Sequence, residues 1–486
     1  MKRVLEGLAP KRVFEIFEDL TQIPHGSGNL QQISDYCVNF AKNLGLQVRQ
    51  DEYLNVVIVK EASLGYPSDK TVMMQGHIDM VCEKNQDNPI NMETDPLQIG
   101  IDGDWIHANG TTLGGDDGIA VAYALAILED DSLEHPRLEV VLTTDEETGM
   151  DGAMGLDVSD LKADYMINVD SEREGEILTS CAGGNKSKTH LPIQKEAVSG
   201  QVVEIAVRGL KGGHSGDQIH TGRANSNLVL GRVLYHLLPL NMQVISMEGG
   251  LKDNAIPRES QATIVLSKER VEEARQIVET ITKELQEEFS VTDSDLAITM
   301  ETKGQEEVMA LDFDSTSRAV RYLFHVINGI QTMSFEIENL VESSLNLGVM
   351  RTLEDAITYT HAIRSSKATL KAHITEKVVD MAKLFGGAVT TRGDYPAWEY
   401  KKDSKLRELF VDQYEQLTGK KPEVCAIHAG LECGLFAEKM PHLDMVSIGP
   451  DMQGIHTPEE RLNISSTKRV YEYLVLTLKE FYKYCK

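Results

Sequence analysis

The hydrophobic positions in the first 185 residues alternate between short apolar runs and longer helical patterns. Residues 71–75 (TVMMQ), 138–143 (LEVVLT) and 165–169 (YMINV) form apolar runs of strand length, whereas residues 118–128 (GIAVAYALAIL) have the length and composition of a buried helix. Strands that alternate with helices are typical of an α/β layer structure. The pattern therefore predicts an α/β domain in this part of the chain.

The pattern changes near residue 186. A strand (QVVEIAVRGL), a glycine-rich loop, a helix, two strands and a helix follow one another, and the same order begins again at about residue 291. This repetition predicts an inserted α+β domain made of two duplicated units, residues 186–290 and 291–396. The α/β pattern returns after residue 397. We therefore expect residues 1–185 and 397–486 to form one α/β domain.

Length and charge narrow the class of protein. A chain of 486 residues exceeds the size of one ordinary core, which predicts two or three domains. The 48 basic and 76 acidic residues give a net charge of −28, which repels nucleic acid and anionic membrane surfaces, so neither is expected as a partner. Two explanations of the acidic excess stay open: solubility, and carboxylates that hold cations.

Cysteine usage and apolar runs predict a cytoplasmic protein. The six cysteines are scattered without a CxxC pair, a distribution typical of reduced thiols. The first 20 residues predict an amphipathic helix and lack the apolar core of a signal peptide. No run approaches the 18 or so apolar residues that a membrane span requires.

Two motifs carry candidate metal ligands next to glycines. In GHID, His77 and Asp79 share one face of an extended chain, so Asp79 can orient the ring while His77 binds a metal. In LGGDDG, the glycines allow close approach of the backbone, and a carboxylate of this motif could bridge two cations. Taken singly, GHID is more often a polar strand end, and a helix N-cap explains LGGDDG as well as a metal site does.

Three further motifs follow apolar runs. In TTDEETG, extended Glu146 and Glu147 would point in opposite directions, so that one binds metal and the other moves a proton. A solvated acidic turn is the alternative. Asp170 in INVDSE and His456 in GIHTPEE complete a set of strand-end residues that an α/β fold brings together. Nitrogen and oxygen ligands without thiolate suit Zn²⁺, Co²⁺ or Mn²⁺.

In this order, GHID, LGGDDG, TTDEETG, INVD and the histidine of GIHTPEE resemble the motifs of the zinc aminoacylases and dipeptidases of peptidase family M20. The resemblance covers essentially the whole chain. LGGDDGIAVAYALAIL, LTTDEETGMDGA, NAIPRE and HAGLECG are similar to segments of its broad-specificity dipeptidases, which include enzymes for Xaa-His substrates. It implies a zinc-peptidase-like domain with a mixed sheet flanked by helices, a lid formed by the insert, and dipeptide hydrolysis.

The resemblance also implies a ligand set. It assigns two Zn²⁺ ions per subunit, with Co²⁺ or Mn²⁺ as possible substitutes. Asp116 would bridge the two ions, His77 and Asp170 would complete one site, and Glu147 and His456 would complete the other.

The resemblance implies two catalytic residues. Asp79 would orient His77, and Glu146 would act as the general base. The peptide bond between Asp116 and Asp117 would be cis.

Four residues are candidates for binding substrate. The resemblance gives His214, in GGHSG, the role of donor to the scissile carbonyl oxygen. Asn254 and Arg364 would grip the substrate, with the guanidinium suited to a terminal carboxylate. Glu432 would meet the substrate amine. Because the insert is duplicated, His214 is expected to act within its own chain, and a homodimer stays possible.

Two other functions remain open. An N-acyl amino acid deacylase or a carboxypeptidase of the same family would share the ligands and differ in the substrate pocket. A non-catalytic metal-binding or scaffold protein is disfavoured, because it would have no need of Glu146 and Asp79.

Overall fold

The described residues, 3–485 of a computed structural model, divide into two units. The first unit contains residues 3–181, 398–426 and 431–485, and the second contains residues 182–397 and 427–430. The sequence pattern predicted domain boundaries at 185/186 and 396/397. Residues 427–430 were expected in the C-terminal part of the α/β domain, but they belong to the second unit.

Helices and strands are numbered along the chain. The first unit begins with α1 (Lys11–Thr21), α2 (Gln31–Asn43), β1 (Gln47–Gln50), β2 (Val56–Lys60), β3 (Thr71–His77), β4 (Ile99–Asp102), β5 (Trp105–Ala108), α3 (Gly115–Glu129), β6 (Arg137–Thr143), α4 (Glu146–Gly149), α5 (Asp151–Gly155), β7 (Tyr165–Asn168) and β8 (Glu176–Cys181). The second unit contains β9 (Gly183–Pro192), β10 (Lys195–Arg208), β11 (Gly213–His214), α6 (Ser226–Leu237), β12 (Gln243–Gly249), β13 (Ala255–Ile256), β14 (Ser260–Leu266), α7 (Val271–Glu288), β15 (Ala297–Leu311), α8 (Phe313–His325), β16 (Gly329–Met333), β17 (Val341–Thr352), β18 (Ala356–Ser365), α9 (Ala368–Leu384) and β19 (Ala388–Tyr395). The chain then continues with α10 (Lys405–Thr418), β20 (Glu423–Ile427), α11 (Cys433–Lys439), β21 (Asp444–Ser447), β22 (Met452–Gln453), β23 (Arg461–Asn463) and α12 (Ile464–Glu480).

The main sheet of the first unit is mixed, as the resemblance implied. Its strands lie in the order β1-β2-β6-β3-β7-β21-β8-β20, and β6, β3, β7 and β21 run parallel to one another. Strand β3 is buried along its whole length, which suits an apolar strand between two helical layers. Helix α3 is buried from residue 115 to residue 128, in agreement with its apolar sequence.

A small antiparallel sheet in the same unit has the order β22-β23-β5-β4. Strands β22 and β23 pair directly, so the loop of residues 454–460 closes a hairpin. This hairpin carries His456. Within residues 3–485, no helix is long and apolar enough to cross a membrane.

The sheet of the second unit is antiparallel and has the order β15-β10-β14-β12-β17-β18-β9-β19. Strand β15, which the sequence analysis placed at the start of the second duplicated unit, pairs with β10 from Lys195 to Arg208. The division at residue 290 therefore does not follow the strand pairing. Helices α6, α7 and α8 contribute to one continuous apolar core with these strands.

Candidate metal centre

Four of the predicted metal-centre residues follow or end the parallel strands β3, β6 and β7. His77 is the last residue of β3, and Asp170 follows β7 by two residues. The segment with Glu146 and Glu147 begins three residues after β6 ends. Strands β6, β3 and β7 are neighbours in the sheet, so their carboxyl ends bring these side chains together.

Asp116 lies between two histidines. Its Oδ1 is 3.2 Å from His77 Nε2, and its Oδ2 is 3.2 Å from His456 Nε2. Asp170 Oδ1 lies 3.8 Å from His77 Nε2, and Glu147 Oε2 lies 3.0 Å from His456 Nε2. Each oxygen of Asp116 thus faces a different histidine and carboxylate pair.

Two three-residue groups share Asp116. The ligand atoms of His77, Asp116 and Asp170 all lie within 4.8 Å of one another, and those of Asp116, Glu147 and His456 do the same. A third such group combines His77 with Glu146 and Glu147. The structure therefore brings the five expected ligands together. The Asp116–Asp117 peptide bond is cis, as the resemblance implied.

Asp79 connects the histidine to the acidic turn. Its backbone carbonyl is 3.0 Å from His77 Nδ1, nearer than its carboxylate Oδ1 at 3.5 Å. The carboxylate also accepts hydrogen bonds from the backbone N–H groups of Glu146 and Glu147 and from the Ser27 hydroxyl. Donation from Nδ1–H to Asp79 leaves His77 Nε2 free to bind a cation.

The turn of residues 145–149 is not extended, so the condition under which Glu146 and Glu147 would alternate as in a strand is not met. Asp145 has a left-handed backbone with φ 53°, and Glu146–Gly149 form a helical turn. Within this turn Glu147 reaches His456, whereas Glu146 belongs to the group with His77. The helical turn, and not the alternation of a strand, therefore directs the two carboxylates to different groups.

The electrostatics of the cluster favour bound positive charge. Hydrogen bonds to Asp116 and Glu147 raise the pKa of His456 to about 10. Burial opposes a proton on His77, but hydrogen bonds to Asp116 and Asp79 raise its pKa well above the usual value. Burial also raises the pKa of Asp116, yet the hydrogen bonds from His456 and His77 outweigh it and lower the pKa.

Other carboxylates of the cluster resist ionisation. Burial raises the pKa of Asp170 well above its usual value, and neighbouring Asp117 and Asp116 add to the effect. Burial likewise raises the pKa of Glu146 to about 8, with Glu432 and Glu147 contributing. Crowded buried carboxylates of this kind are stabilised by cations. Because the ligand atoms are imidazole nitrogens and carboxylate oxygens, the residues fit divalent Zn²⁺, Co²⁺ or Mn²⁺.

Comparison with known proteins identifies the family. The family model described as peptidase family M20/M25/M40 matches residues 73–480. The chain belongs to this family. It is therefore a metal-dependent hydrolase of peptide bonds.

Relatives of the peptidase cover its whole length. It is 39% identical to the cytosol non-specific dipeptidase of Escherichia coli K12 over 479 residues, which are 98% of this chain and 99% of that protein. The crystal structure of aminoacylhistidine dipeptidase from Vibrio alginolyticus matches with a TM-score of 0.92 and 37% identity, covering 98% of this chain and 97% of that one. Aminopeptidase PepT from Bacillus cereus shares the fold, with a TM-score of 0.55 and 16% identity over 97% of this chain and 99% of that one.

Three candidate substrate residues of the peptidase lie in its second unit. His214 is on β11, which pairs with β13, and Asn254 is exposed just before β13. Arg364 is on β18 and donates to the Tyr395 hydroxyl. Burial lowers the pKa of His214, and the charge of Arg364 lowers it further. Their roles toward a substrate stay predictions.

Glu432 lies in the interior of the first unit and is 0% exposed. Its Oε2 accepts hydrogen bonds from Gln75 Nε2 and Thr143 Oγ1, at 2.5 and 2.6 Å. The structure therefore joins Glu432 to two strands that carry the site. Its expected contact with a substrate amine stays a prediction.

Sequence reasoning missed several residues that support the site of the peptidase. Ser27 donates to Asp79, and Asp117 accepts the backbone N–H of His77. Glu460 contacts the loop that leads to Asp116. The sequence did contain a signal for two of them: Asp117 is the second acid of DDG, and Glu460 is the second acid of PEE. Ser27 lies in none of the motifs, so the sequence contained no signal for it.

Proposed function

We propose that this peptidase hydrolyses dipeptides with broad specificity, including Xaa-His substrates, by means of two bound zinc ions. The observation that carries the proposal is the position of Asp116, whose two oxygens face two separate groups of ligands. The names of the relatives from Escherichia coli and Vibrio alginolyticus support dipeptides as the substrate class. The first of these names also supports a cytoplasmic location.

The ligand assignment follows the two groups that share Asp116. His77, Asp116 and Asp170 would hold one ion, and Asp116, Glu147 and His456 would hold the other. When bound, such ions supply Lewis-acid chemistry and lower the pKa of a water molecule. Co²⁺ and Mn²⁺ have the same ligand preferences and are possible substitutes.

Glu146 is proposed as the general base. Burial raises its pKa to about 8, and a base whose pKa lies near the working pH both accepts and releases a proton efficiently. Its carboxylate would take the proton of the attacking water and pass it to the leaving amine. Asp79 assists by fixing the backbone of Glu146 and Glu147 and the ring of His77.

The remaining substrate roles rest on the motifs. His214 would donate to the scissile carbonyl oxygen, and the lowered pKa of its ring is consistent with a neutral N–H donor. Arg364 would bind the terminal carboxylate, Asn254 would help to grip the substrate, and Glu432 would meet the substrate amine. A homodimer is possible, and sedimentation of the purified chain decides it.

The test is a substrate panel measured after chelation and again after each metal is restored. The panel contains dipeptides with and without C-terminal histidine, their N-acetylated analogues, N-acetyl amino acids and longer peptides. We expect Zn²⁺-restored hydrolysis of the free dipeptides. We also expect at least a 100-fold loss of kcat in Glu146→Gln, because a general base contributes about 10²–10⁴-fold.

Asp151→Asn is the matched control, because Asp151 is an exposed acid near Glu146 and the change removes the same charge. This variant should retain wild-type kcat. Hydrolysis of N-acetyl amino acids without hydrolysis of dipeptides would decide for the deacylase. Preferential cleavage of longer peptides at the C-terminal residue would decide for the carboxypeptidase, and no metal-restored hydrolysis at all would reject catalysis.

A further inference from the structure

Glu460 is a buried carboxylate at the end of the β22–β23 hairpin loop. It is 3% exposed. Its Oε2 accepts hydrogen bonds from the N–H groups of Leu113 (2.7 Å) and Gly114 (3.2 Å), and its Oε1 accepts from Gly115 (2.8 Å) and Asp116 (3.4 Å). One side chain therefore holds four consecutive backbone N–H groups.

The glycines of the loop make this arrangement possible. Gly114 has φ 71° and ψ 29°, a left-handed conformation that turns successive N–H groups toward one anion. A Cβ at Gly114 would lie 2.9 Å from Met80 Sδ, and one at Gly115 would lie 3.3 Å from Glu460 Oε1. These N–H groups lie just before or at the start of α3, where a helix has no carbonyl acceptors for its first N–H groups. The Glu460 carboxylate supplies those acceptors.

The same contact joins two segments that carry expected ligands. Asp116 is the last of the four donors, and His456 lies four residues before Glu460 in the hairpin loop. Within that loop Glu460 N–H donates to the Thr457 carbonyl, and Thr457 N–H donates to the Gly454 carbonyl. Glu460 thus fixes the end of the loop against the backbone of Asp116.

His456 depends on this anchor more than the other histidine does. Its side chain is 46% exposed, whereas that of His77 is 1% exposed. Its backbone is left-handed, with φ 60°, which is uncommon for a residue other than glycine. Apart from its hydrogen bonds to Asp116 and Glu147, the ring is held by neither burial nor a preferred backbone conformation, so its place beside Asp116 Oδ2 depends on the loop.

We propose that Glu460 is a positioning residue that holds Asp116 and His456 in register, so that the cation group of Asp116, Glu147 and His456 can form. The proposal rests on the proposed two-ion site, but its test does not depend on the substrate. In Glu460→Gln, the side chain keeps one acceptor oxygen, and its NH₂ group faces two of the four backbone N–H donors, which then have no acceptor. Loss of such supporting contacts lowers metal affinity by about 10- to 100-fold.

The experiment titrates the full-length chain, stripped of metal, with Co²⁺ alone and follows the visible absorption of the ion. We expect two Co²⁺ per chain in the wild type. In Glu460→Gln, the second Co²⁺ should bind about 10- to 100-fold more weakly, and the first should lose less affinity, because it shares Asp116 but keeps His77 and Asp170. Glu459→Gln is the matched control, because Glu459 is the exposed neighbour and the change removes the same charge. It should behave as the wild type.

Amide hydrogen exchange gives a second readout without metal. We expect the amides of residues 113–116 to exchange at least tenfold faster in Glu460→Gln than in Glu459→Gln. If Glu460→Gln does not fold, Glu460→Asp replaces it, because aspartate keeps the charge and shortens the side chain by one methylene. The same selective loss, in smaller degree, is then expected.

Wild-type affinity for both ions in Glu460→Gln, an equal loss at both sites, or unchanged exchange of residues 113–116 would each overturn the proposal. A wild-type chain that binds a single Co²⁺ would contradict the two-ion part of the proposed function. The exchange of residues 113–116 would then decide the role of Glu460 by itself.

Discussion

At the scale of single residues, Asp79 does more than its motif predicts. The sequence indicated a carboxylate that orients His77, but the backbone carbonyl of Asp79 is the nearer acceptor. The carboxylate is used for the N–H groups of Glu146 and Glu147, which are 67 and 68 residues away in sequence. Asp79 therefore connects the histidine ligand to the proposed base and to a second ligand.

We expect Asp79→Asn to lower kcat by about 10- to 100-fold, with a smaller change in KM. Asparagine has one acceptor oxygen, so its NH₂ group would face one of the N–H groups of residues 146 and 147. Steady-state kinetics at saturating Zn²⁺ measure the effect, with exposed Asp87→Asn as the control for the lost charge. Wild-type kcat in Asp79→Asn would show that these contacts do not position the base.

At the scale of elements, the sequence predicted most strands and helices that carry the site. Apolar runs gave β3, β6, β7 and α3 nearly to their ends, because buried elements require continuous apolar sequence. The pattern did not predict the helical turn at Glu146, which follows a left-handed residue that leaves no apolar signature. It also did not predict the contacts of Ser27 and Glu460, which tertiary packing alone brings to the site.

The packing of β3 against α3 makes a testable prediction about glycine. A Cβ at Gly76 would lie 2.5 Å from Asp117 Oδ2 and 2.6 Å from Ala120 Cβ. We therefore expect Gly76→Ala to lower the free energy of unfolding by about 1–3 kcal/mol, because it overpacks this contact. Urea denaturation of the metal-free chain measures the change.

Gly118→Ala, on the facing helix α3, is the control. Its Cβ would meet only the Phe17 ring, at 3.5 Å or more, and alanine favours the helix over glycine by about 1 kcal/mol. This variant should be as stable as the wild type or more stable. Equal destabilisation by the two substitutions would contradict the close packing at Gly76.

At the scale of the whole molecule, the strand pairing gives the proposed duplicated units other boundaries than the sequence did. The sheet of the second unit is symmetric in order about the β12–β17 contact, with β15-β10-β14 on one side and β18-β9-β19 on the other. If the unit is duplicated, the strand order divides it into two copies. One copy is residues 195–311, and the other is made of residues 183–192 together with residues 312–395. One copy would then be inserted after the first strand of the other, an arrangement that a linear comparison of element order does not reveal. The duplication itself stays a proposal.

Two buried histidines of the second unit predict how it responds to acid. His361 lies on β18 between β17 and β9 and is 0% exposed. Burial lowers its pKa to about 4, and burial together with Arg364 lowers the pKa of His428 to about 3. An unfolded chain protonates both histidines near pH 6.5. The unfolded state therefore binds more protons between these pH values, and stability falls as the pH falls from about 6.5 toward 4.

For His361 alone, the free energy of unfolding should decrease by about 2 kcal/mol between neutral pH and pH 5, since each pH unit in this window contributes about 1.4 kcal/mol. Urea unfolding of the metal-free chain at several pH values measures the slope. His361→Leu should reduce the slope, because leucine does not take up a proton on unfolding. The same replacement at exposed His236 is the control. If His361→Leu and wild type lose stability equally on acidification, the buried histidine does not set the acid limit of the second unit, and the remaining buried histidines and carboxylates must account for it.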